Sequence, residues 1–114
     1  MDTVSGLSPE QCPVDQTLRV IGGRWKALII YYLRSGPKRF NALRRMMPLV
    51  TQRMLTQHLR ELEADGVLHR KIFPVVPPHV EYSLSPLGVS LLPVLDAMAD
   101  WGAAHATDVA AVAA

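Results

Sequence analysis

The sequence predicts a mainly α-helical domain with one small β-hairpin, arranged as a winged helix-turn-helix with dimerisation helices at both ends. Three observations predict this fold. Apolar residues recur at helical spacing through most of the chain, strand-like alternation appears only between residues 67 and 85, and Pro and Gly separate the periodic segments. The 114 residues are enough for one domain with a modest core.

The first part of the predicted domain is a pair of helices after a flexible lead-in over residues 1–11. A helix begins at Cys12-Pro13, because proline suits the first helical turn, and it ends at Gly22-Gly23. A second helix spans residues 24–34 and is broken by the Ser-Gly-Pro that follows. Its predicted buried side chains are Trp25, Leu28, Ile29, Tyr32 and Leu33.

The middle of the chain predicts a short edge strand over residues 38–40, a short helix over 41–47 and a longer helix over 51–65. Thr51 can cap the longer helix, and Gly66 can end it. Leu55, Leu59 and Leu62 form its apolar stripe.

Two strands and a last helix complete the predicted domain. The strands span residues 67–73 and 80–85, and the proline-rich segment between them is too long for a tight turn. Pro86 begins a helix that runs to about His105. We therefore expect one domain over residues 12–106 and a frayed tail over 107–114.

Charge is strongly segregated along the chain. Ten Lys and Arg residues and no acidic residue lie between Asp15 and Glu61, so this segment has a formal charge of +10 while the rest has −8, for a net charge of +2. The ten are Arg19, Arg24, Lys26, Arg34, Lys38, Arg39, Arg44, Arg45, Arg53 and Arg60. Such a segment favours double-stranded DNA as a partner, and a merely solvated face is the alternative.

The helix over residues 51–65 is the expected recognition helix, because the second helix of a helix-turn-helix enters the major groove with its N-terminal residues on base edges. The expected base-contacting residues are Thr51, Gln52, Arg53, Thr56 and Gln57. The expected phosphate-contacting residues are Lys38, Arg39, Arg44, Arg45, Arg60, Arg70 and Lys71. Two alternatives stay open: Arg60 can pair with Glu63, and Arg70 with Lys71 can be strand-edge charges that discourage aggregation.

The last helix is apolar over too wide an arc for a simple surface helix, so we expect it to form a homodimer together with the first helix. The expected dimer interface is Val14, Leu18, Leu91, Leu92, Leu95, Met98 and Trp101. The alternative is that this helix only covers its own core.

Cys12 is the one cysteine, and it precedes the first helix, where the helix dipole favours a thiolate. It is a candidate sensor of oxidants or electrophiles, by adduct or by an intersubunit disulfide. The alternative is a small capping and packing residue without a redox role.

The sequence gives little indication of catalysis, of a cofactor site or of a membrane-spanning segment. The four histidines are scattered and no phosphate loop or nucleophile motif is present, so we expect no enzyme, no cofactor and no metal site. No apolar run approaches the roughly 20 residues that span a bilayer. A single cysteine and the lack of an export signal predict a cytoplasmic protein.

An ordered set of short motifs resembles the HxlR-type family of bacterial winged-helix transcription regulators, relatives of the MarR group. The motifs are Cys12-Pro13, IGGRWK from residue 21, RFNAL from 39, MLT from 54, LRELEADGV from 59, VPPHVEYSL from 76 and Trp101-Gly102. The resemblance implies a homodimeric DNA-binding protein, usually a repressor. It also implies that Thr51 replaces the family's capping Ser, that Arg53 matches a basic residue, that His79 replaces one, and that Cys12 matches a cysteine with which some members sense electrophiles or hypochlorite.

Two rival functions remain at this stage. In one, a small aromatic molecule binds a cleft at the dimer interface, near Trp25, Tyr32 and Trp101, and controls the regulator, and Cys12 has no redox role. In the other, the winged helix is a protein-interaction module that does not bind DNA. The basic segment argues against the second rival.

Overall fold

The computed structural model describes residues 11–113, and residues 1–10 of the predicted lead-in lie outside them. Helices predominate, and three short strands form one antiparallel sheet. In chain order the elements are α1 (Pro13–Ile21), α2 (Trp25–Tyr32), a 3-10 turn (Leu33–Ser35), β1 (Lys38–Arg39), α3 (Phe40–Met46), α4 (Gln52–Ala64), β2 (Leu68–Phe73), β3 (His79–Leu84), α5 (Pro86–Ser90), α6 (Leu92–Ala104) and α7 (Ala106–Ala113).

The predicted start and end residues of the helices are confirmed at both well-marked helices. Cys12 has the extended backbone of an N-cap and Pro13 follows in the first turn of α1. At α4, Thr51 is the N-cap and its Oγ1 accepts a hydrogen bond from the Met54 amide at 3.1 Å. Gly66, with φ of 76°, ends α4 in the left-handed region that glycine adopts without strain.

The sheet has the strand order β1-β3-β2 and both pairs are antiparallel. β2 and β3 form the predicted hairpin, in which Leu68 faces Leu84 and Phe73 faces His79. β1 pairs on the other side of β3, with Lys38 opposite Tyr82. The predicted edge strand is therefore confirmed, and it places the start of α3 beside the wing.

One hydrophobic core lies where α2, α3, α4 and the base of the hairpin meet. Its buried side chains are Ile21, Ile29, Ile30, Leu33, Leu43, Met47, Val50, Leu55, Leu59, Leu62, Val67, Leu68 and Leu95. The prediction for α2 was only partly correct, because Trp25, Leu28 and Tyr32 are half-buried at the edge of the core whereas Ile30 lies inside it.

The C-terminal part differs from the single predicted helix. It is divided at Leu91 into α5 and α6, because Pro93 has no amide hydrogen with which to continue the backbone ladder. In place of the predicted frayed end, residues 106–113 form a further helix, α7.

The stretch Pro86–Ala104 has 19 residues and a mean hydropathy of 1.2, so by length and composition alone it could cross a membrane. This corrects the expectation that no segment approaches that length. One such stretch is weak evidence for a membrane protein, and this one is interrupted at Leu91 and contains the carboxylates Asp96 and Asp100.

Candidate nucleic-acid interface

The outward face of α4 is polar and open. The Leu stripe of this helix is buried, which turns the opposite side to solvent. That side lines an open depression with five side chains, namely Gln52, Arg53, Thr56, Gln57 and Arg60. The structure thus brings together four of the five predicted base-contacting residues and Arg60, while Thr51 lies at the helix start.

These side chains differ in what they already bind. Thr56 Oγ1 donates a hydrogen bond to the backbone carbonyl of Gln52 at 2.8 Å. The amide oxygen Oε1 of Gln52 accepts a hydrogen bond from Arg44 Nη1 at 3.4 Å. Arg53, Gln57 and Arg60 make no side-chain hydrogen bond or ion pair with any other residue between 11 and 113.

A second depression lies between the start of α3 and the tip of the wing. Arg39, Asn41 and Arg45 line it from one side, and Pro77 to Val80 line it from the other. Arg45 also lines a neighbouring depression with Arg44 and Val50. Two parts of the chain that are distant in sequence therefore line one depression, and its two cations, Arg39 and Arg45, both come from the side of α3.

The wing has an ordered aromatic end. The rings of Phe73 and His79, which face each other across the hairpin, stack at 4.6 Å between centroids. His79 Nε2 lies 3.3 Å from a carboxylate oxygen of Glu81, and Lys71 Nζ lies 4.9 Å from the Phe73 ring. Arg70 and Lys71 are both exposed, on opposite faces of β2. The proposed hairpin pairing could have indicated the Phe73–His79 stack, which the sequence analysis missed.

Ion pairs divide the ten cations of the basic segment into two groups. Three of them bind carboxylates: Arg19 binds Asp15 at 3.1 Å, Lys26 binds Glu61 at 3.2 Å, and Arg34 binds Asp96. The hydrogen bond from Arg34 to Asp96 raises the pKa of the Arg34 guanidinium above its ordinary value. The other seven have no carboxylate partner in the described part of the chain: Arg24, Lys38, Arg39, Arg44, Arg45, Arg53 and Arg60.

Most of the predicted dimer interface is exposed apolar surface. Val14 and Leu18 on α1 are 66% and 54% exposed, and Met98 and Trp101 on α6 are 51% and 60% exposed. Leu91 and Leu92 are half-buried against the core of their own protomer. Leu95, at 4% exposure, belongs to that core, so its prediction as an interface residue is corrected.

Cys12 is a half-buried N-cap at the start of α1, and its side chain makes no capping hydrogen bond. It lies two residues before Val14, the first residue of the exposed apolar pair of α1. The predicted capping position is thus confirmed.

The predicted ligand cleft differs from the apolar pocket that the structure contains. A pocket of about 250 Å³ lies between α2 and α6, and Ala27, Leu28, Tyr31, Leu95, Met98 and Ala99 line it. None of the predicted residues Trp25, Tyr32 and Trp101 is among them. Trp101 instead packs against His105, with 4.8 Å between ring centroids. Between residues 11 and 113, no group of three or more His, Cys, Asp and Glu side chains could hold a metal ion.

Comparisons with known proteins agree with this architecture. A family described as "HxlR-like helix-turn-helix" matches residues 20–109. The uncharacterized HTH-type transcriptional regulator YdeP of Bacillus subtilis (strain 168) is 56% identical over 93 residues, which cover 82% of this chain and 73% of YdeP.

Solved structures give the same result. The redox regulator HypR in its oxidized form superimposes with a TM-score of 0.79 at 54% identity, covering 82% of this chain and 96% of that one. The reduced form gives a TM-score of 0.83 at 49% identity, covering 87% and 98%. The reduced form of the transcriptional regulator YodB from B. subtilis gives a TM-score of 0.71 at 35% identity, covering 81% and 91%.

Proposed function

This chain belongs to the HxlR-like helix-turn-helix family of transcriptional regulators, and we propose that it binds specific DNA sequences as a homodimer in the cytoplasm and represses transcription. The observation that carries the proposal is the exposed face of α4, where Arg53 and Arg60 lie without carboxylate partners beside two glutamine side chains. A polar face with uncompensated positive charge suits the edges of bases and the phosphates beside them.

In the proposed complex α4 enters the major groove, and α3 and the wing follow the sugar–phosphate backbone. Thr51, Gln52, Arg53, Thr56 and Gln57 then face the groove. The phosphate-contacting set is Lys38, Arg39, Arg44, Arg45, Arg60, Arg70 and Lys71. The depression between α3 and the wing tip supports this arrangement, because Arg39 and Arg45 both line it.

The dimer in this proposal forms through α1, α5 and α6. Exposed apolar side chains that include Val14, Leu18, Met98 and Trp101 are numerous for a chain of this size, and a second copy would remove them from water. A twofold dimer also presents two copies of α4 to two half-sites, spaced by one helical turn of DNA or a multiple of it.

Binding to the DNA upstream of the protein's own gene, compared with random duplex at two salt concentrations, tests the proposal. We expect preference for the upstream DNA and affinity that falls as salt rises on both duplexes. Deletion of the gene should then raise transcription from the bound promoter. No preference for any genomic DNA would contradict the proposal and favour a protein-interaction module.

We further propose that Cys12 makes the regulator sensitive to oxidants or electrophiles. HypR, which superimposes closely, is described as a redox regulator, and Cys12 is half-buried at the start of α1. With diamide, each of the two Cys12 thiols of one dimer would lose a proton and an electron. The two sulfur atoms would form one S–S bond, and diamide would be reduced to the hydrazine. An electrophile would instead add to a single thiolate.

Diamide treatment of the wild type and of Cys12→Ser tests the thiol proposal. We expect diamide to change DNA binding by the wild type and to produce a dimer band on a non-reducing gel, with neither effect in Cys12→Ser. Binding that is indifferent to diamide in the wild type would contradict the switch and leave the DNA-binding proposal intact.

A second candidate, a small-molecule-gated regulator without a redox role for Cys12, is favoured by the apolar pocket between α2 and α6. The pocket contacts Met98 of the exposed apolar face and Leu95 of the core, so an apolar molecule there would touch both. Fluorescence enhancement of anilinonaphthalene sulfonate, lost in a Leu28→Trp variant that fills the pocket, would support this candidate. Unchanged enhancement in that variant would contradict it.

A further inference from the structure

The small sheet has one face on the core and one face turned away from it. Leu68, Tyr82 and Leu84 belong to the first face and pack against the core. Side chains alternate between the two faces of a strand, and residues directly opposite each other in an antiparallel pair share a face. The second face, called the outer face below, therefore carries Arg39, His69, Lys71, Phe73, His79, Glu81 and Ser83.

Glu81 is the one acidic side chain of the three strands. It lies opposite Arg39 of β1 and opposite Lys71 of β2, in the middle of the outer face. Even so, among residues 11–113 it forms no ion pair with a lysine or an arginine, and its partner there is His79. The charge of this carboxylate is thus balanced only when His79 is protonated.

The imidazole ring of His79 is held in place from two sides. Its Nε2 lies 3.3 Å from Oε2 of Glu81. Its ring stacks on Phe73 with 4.6 Å between centroids and 13° between planes. His79 also lines the depression between α3 and the wing tip. The same ring therefore contacts the unbalanced carboxylate and borders the surface proposed to hold phosphates.

The charge of the His79–Glu81 pair depends on one proton. A neutral imidazole has one N–H, and when Nε2–H donates to Glu81 the pair carries a net charge of −1. A protonated imidazole has two N–H groups, so it keeps the bond to Glu81, gains a donor at Nδ1 and makes the pair neutral. The charged groups that face the pair are Arg39 and Lys71, opposite Glu81, and Arg45, across the depression.

Protonation of His79 would supply a cation that the wing otherwise lacks at this place. The arginines that line the depression, Arg39 and Arg45, both come from the side of α3, whereas the wing contributes Pro77 to Val80. A phosphate in the depression binds more tightly when the wing side is positive than when it is negative. By reciprocity, a bound phosphate favours the protonated ring.

We propose, on the basis of the DNA-binding function proposed above, that the His79–Glu81 pair couples DNA binding to proton uptake, so that affinity for DNA rises as the pH falls. The rise occurs between about pH 8 and about pH 5.5, where histidine side chains titrate while carboxylates stay largely ionised. Each protomer gains one exposed contact with a phosphate, so the dimer should bind roughly 2- to 30-fold more tightly at the lower pH.

Fluorescence anisotropy titrations of the full chain at the two pH values test this coupling. One duplex is chosen from the upstream DNA for specific binding (the selected duplex), and the other is random. We expect the wild type to bind both more tightly at the lower pH by similar factors, because phosphates carry no sequence information. The slope of log K against log salt should be steeper there by about 1.8, since each of two contacts adds about 0.9.

Variants at His79 and Glu81 separate this pair from the other histidines. His79→Gln should bind at both pH values as the wild type does at the higher one, and His79→Lys should bind at both as the wild type does at the lower one. Glu81→Gln should bind more tightly than the wild type at the higher pH, because it removes the negative charge. His69→Gln is the matched control, since His69 is an exposed histidine of the same face opposite Ser83, and it should keep the full pH dependence.

Circular dichroism melting at both pH values checks that each variant is folded. Equal affinity of the wild type at the two pH values, an unchanged pH dependence in His79→Gln, or its loss in His69→Gln would overturn the coupling and leave DNA binding in place. A wild type that prefers no genomic DNA at either pH would instead refute the proposed function itself.

Discussion

Arg45→Ala tests whether the surface between α3 and the wing binds phosphates. Arg45 is exposed, has no carboxylate partner among residues 11–113, and lines both depressions on this side of the protein. If DNA phosphates occupy this surface, loss of the guanidinium removes one phosphate contact from each protomer. We expect weaker binding to selected and random duplexes alike, because phosphates carry no sequence information.

The size of the effect follows from counterion release. Each phosphate contact contributes about 0.9 to the slope of log K against log salt, so the dimer loses about 1.8 of slope. From about 50 mM to about 200 mM salt, the wild type should then lose about 12-fold more affinity than Arg45→Ala does.

Fluorescence anisotropy titrations over that salt range measure the slope. Arg19→Ala is the matched control: it removes the same charge from an exposed position, but Arg19 binds Asp15 on α1 and lines neither of the two depressions. An unchanged slope for Arg45→Ala, or an equal fall for Arg19→Ala, would refute the phosphate assignment. A loss confined to the selected duplex would show that Arg45 contacts bases.

Three further predictions concern stability and assembly. Thr51→Ala should lower the free energy of unfolding in urea by about 1 kcal/mol, because the Met54 amide loses its acceptor, whereas Thr51→Ser should keep most of it. Leu59→Ala should lower the free energy of unfolding by about 2–5 kcal/mol, because the Leu59 side chain is only 1% exposed. Leu49→Ala should change the free energy of unfolding little, because Leu49 is 73% exposed. Trp101→Lys should sediment as a folded monomer; a dimer at the wild-type concentration would argue against α6 as the interface.

The sequence predicted α4 closely because every mark of this helix is local. Thr51 supplies the cap, Gly66 supplies the left-handed residue at the end, and the Leu stripe repeats at helical spacing. The hairpin could be predicted equally well, since the alternation over residues 80–85 and the prolines before it are also visible in a short stretch of sequence.

The contacts of the last helices could not be predicted as well from the sequence. Periodicity showed that many positions of α6 are apolar, but it could not distinguish Leu95, which packs inside its own protomer, from Met98 and Trp101, which remain exposed. The lining of the pocket between α2 and α6 was not predicted for the same reason. The angle and position at which α2 crosses α6 decide which side chains line the pocket. The spacing of apolar residues along one helix does not predict that angle or position.

Hydrogen-bond partners on the recognition helix also lay beyond sequence reasoning. Thr56 appeared as one of five equivalent polar residues, whereas the structure shows its hydroxyl on a backbone carbonyl four residues earlier. Threonine makes this bond in one rotamer and releases it in others, so the residue type alone does not decide it. The distinction between engaged and free side chains on α4 therefore required coordinates.

The ion pairs explain why the basic segment is larger than the proposed DNA interface. Lys26 on α2 binds Glu61 on α4, and Arg34, just beyond α2, binds Asp96 on α6. Both carboxylates come from the acidic remainder of the chain, so each cation neutralises one of its carboxylates. The two pairs link α2 to α4 at one end and to α6 at the other. α2 therefore lies between the proposed recognition helix and the helix proposed to form the dimer. Of the seven cations without a carboxylate partner in the described part of the chain, all except Arg24 belong to the proposed DNA-contacting set.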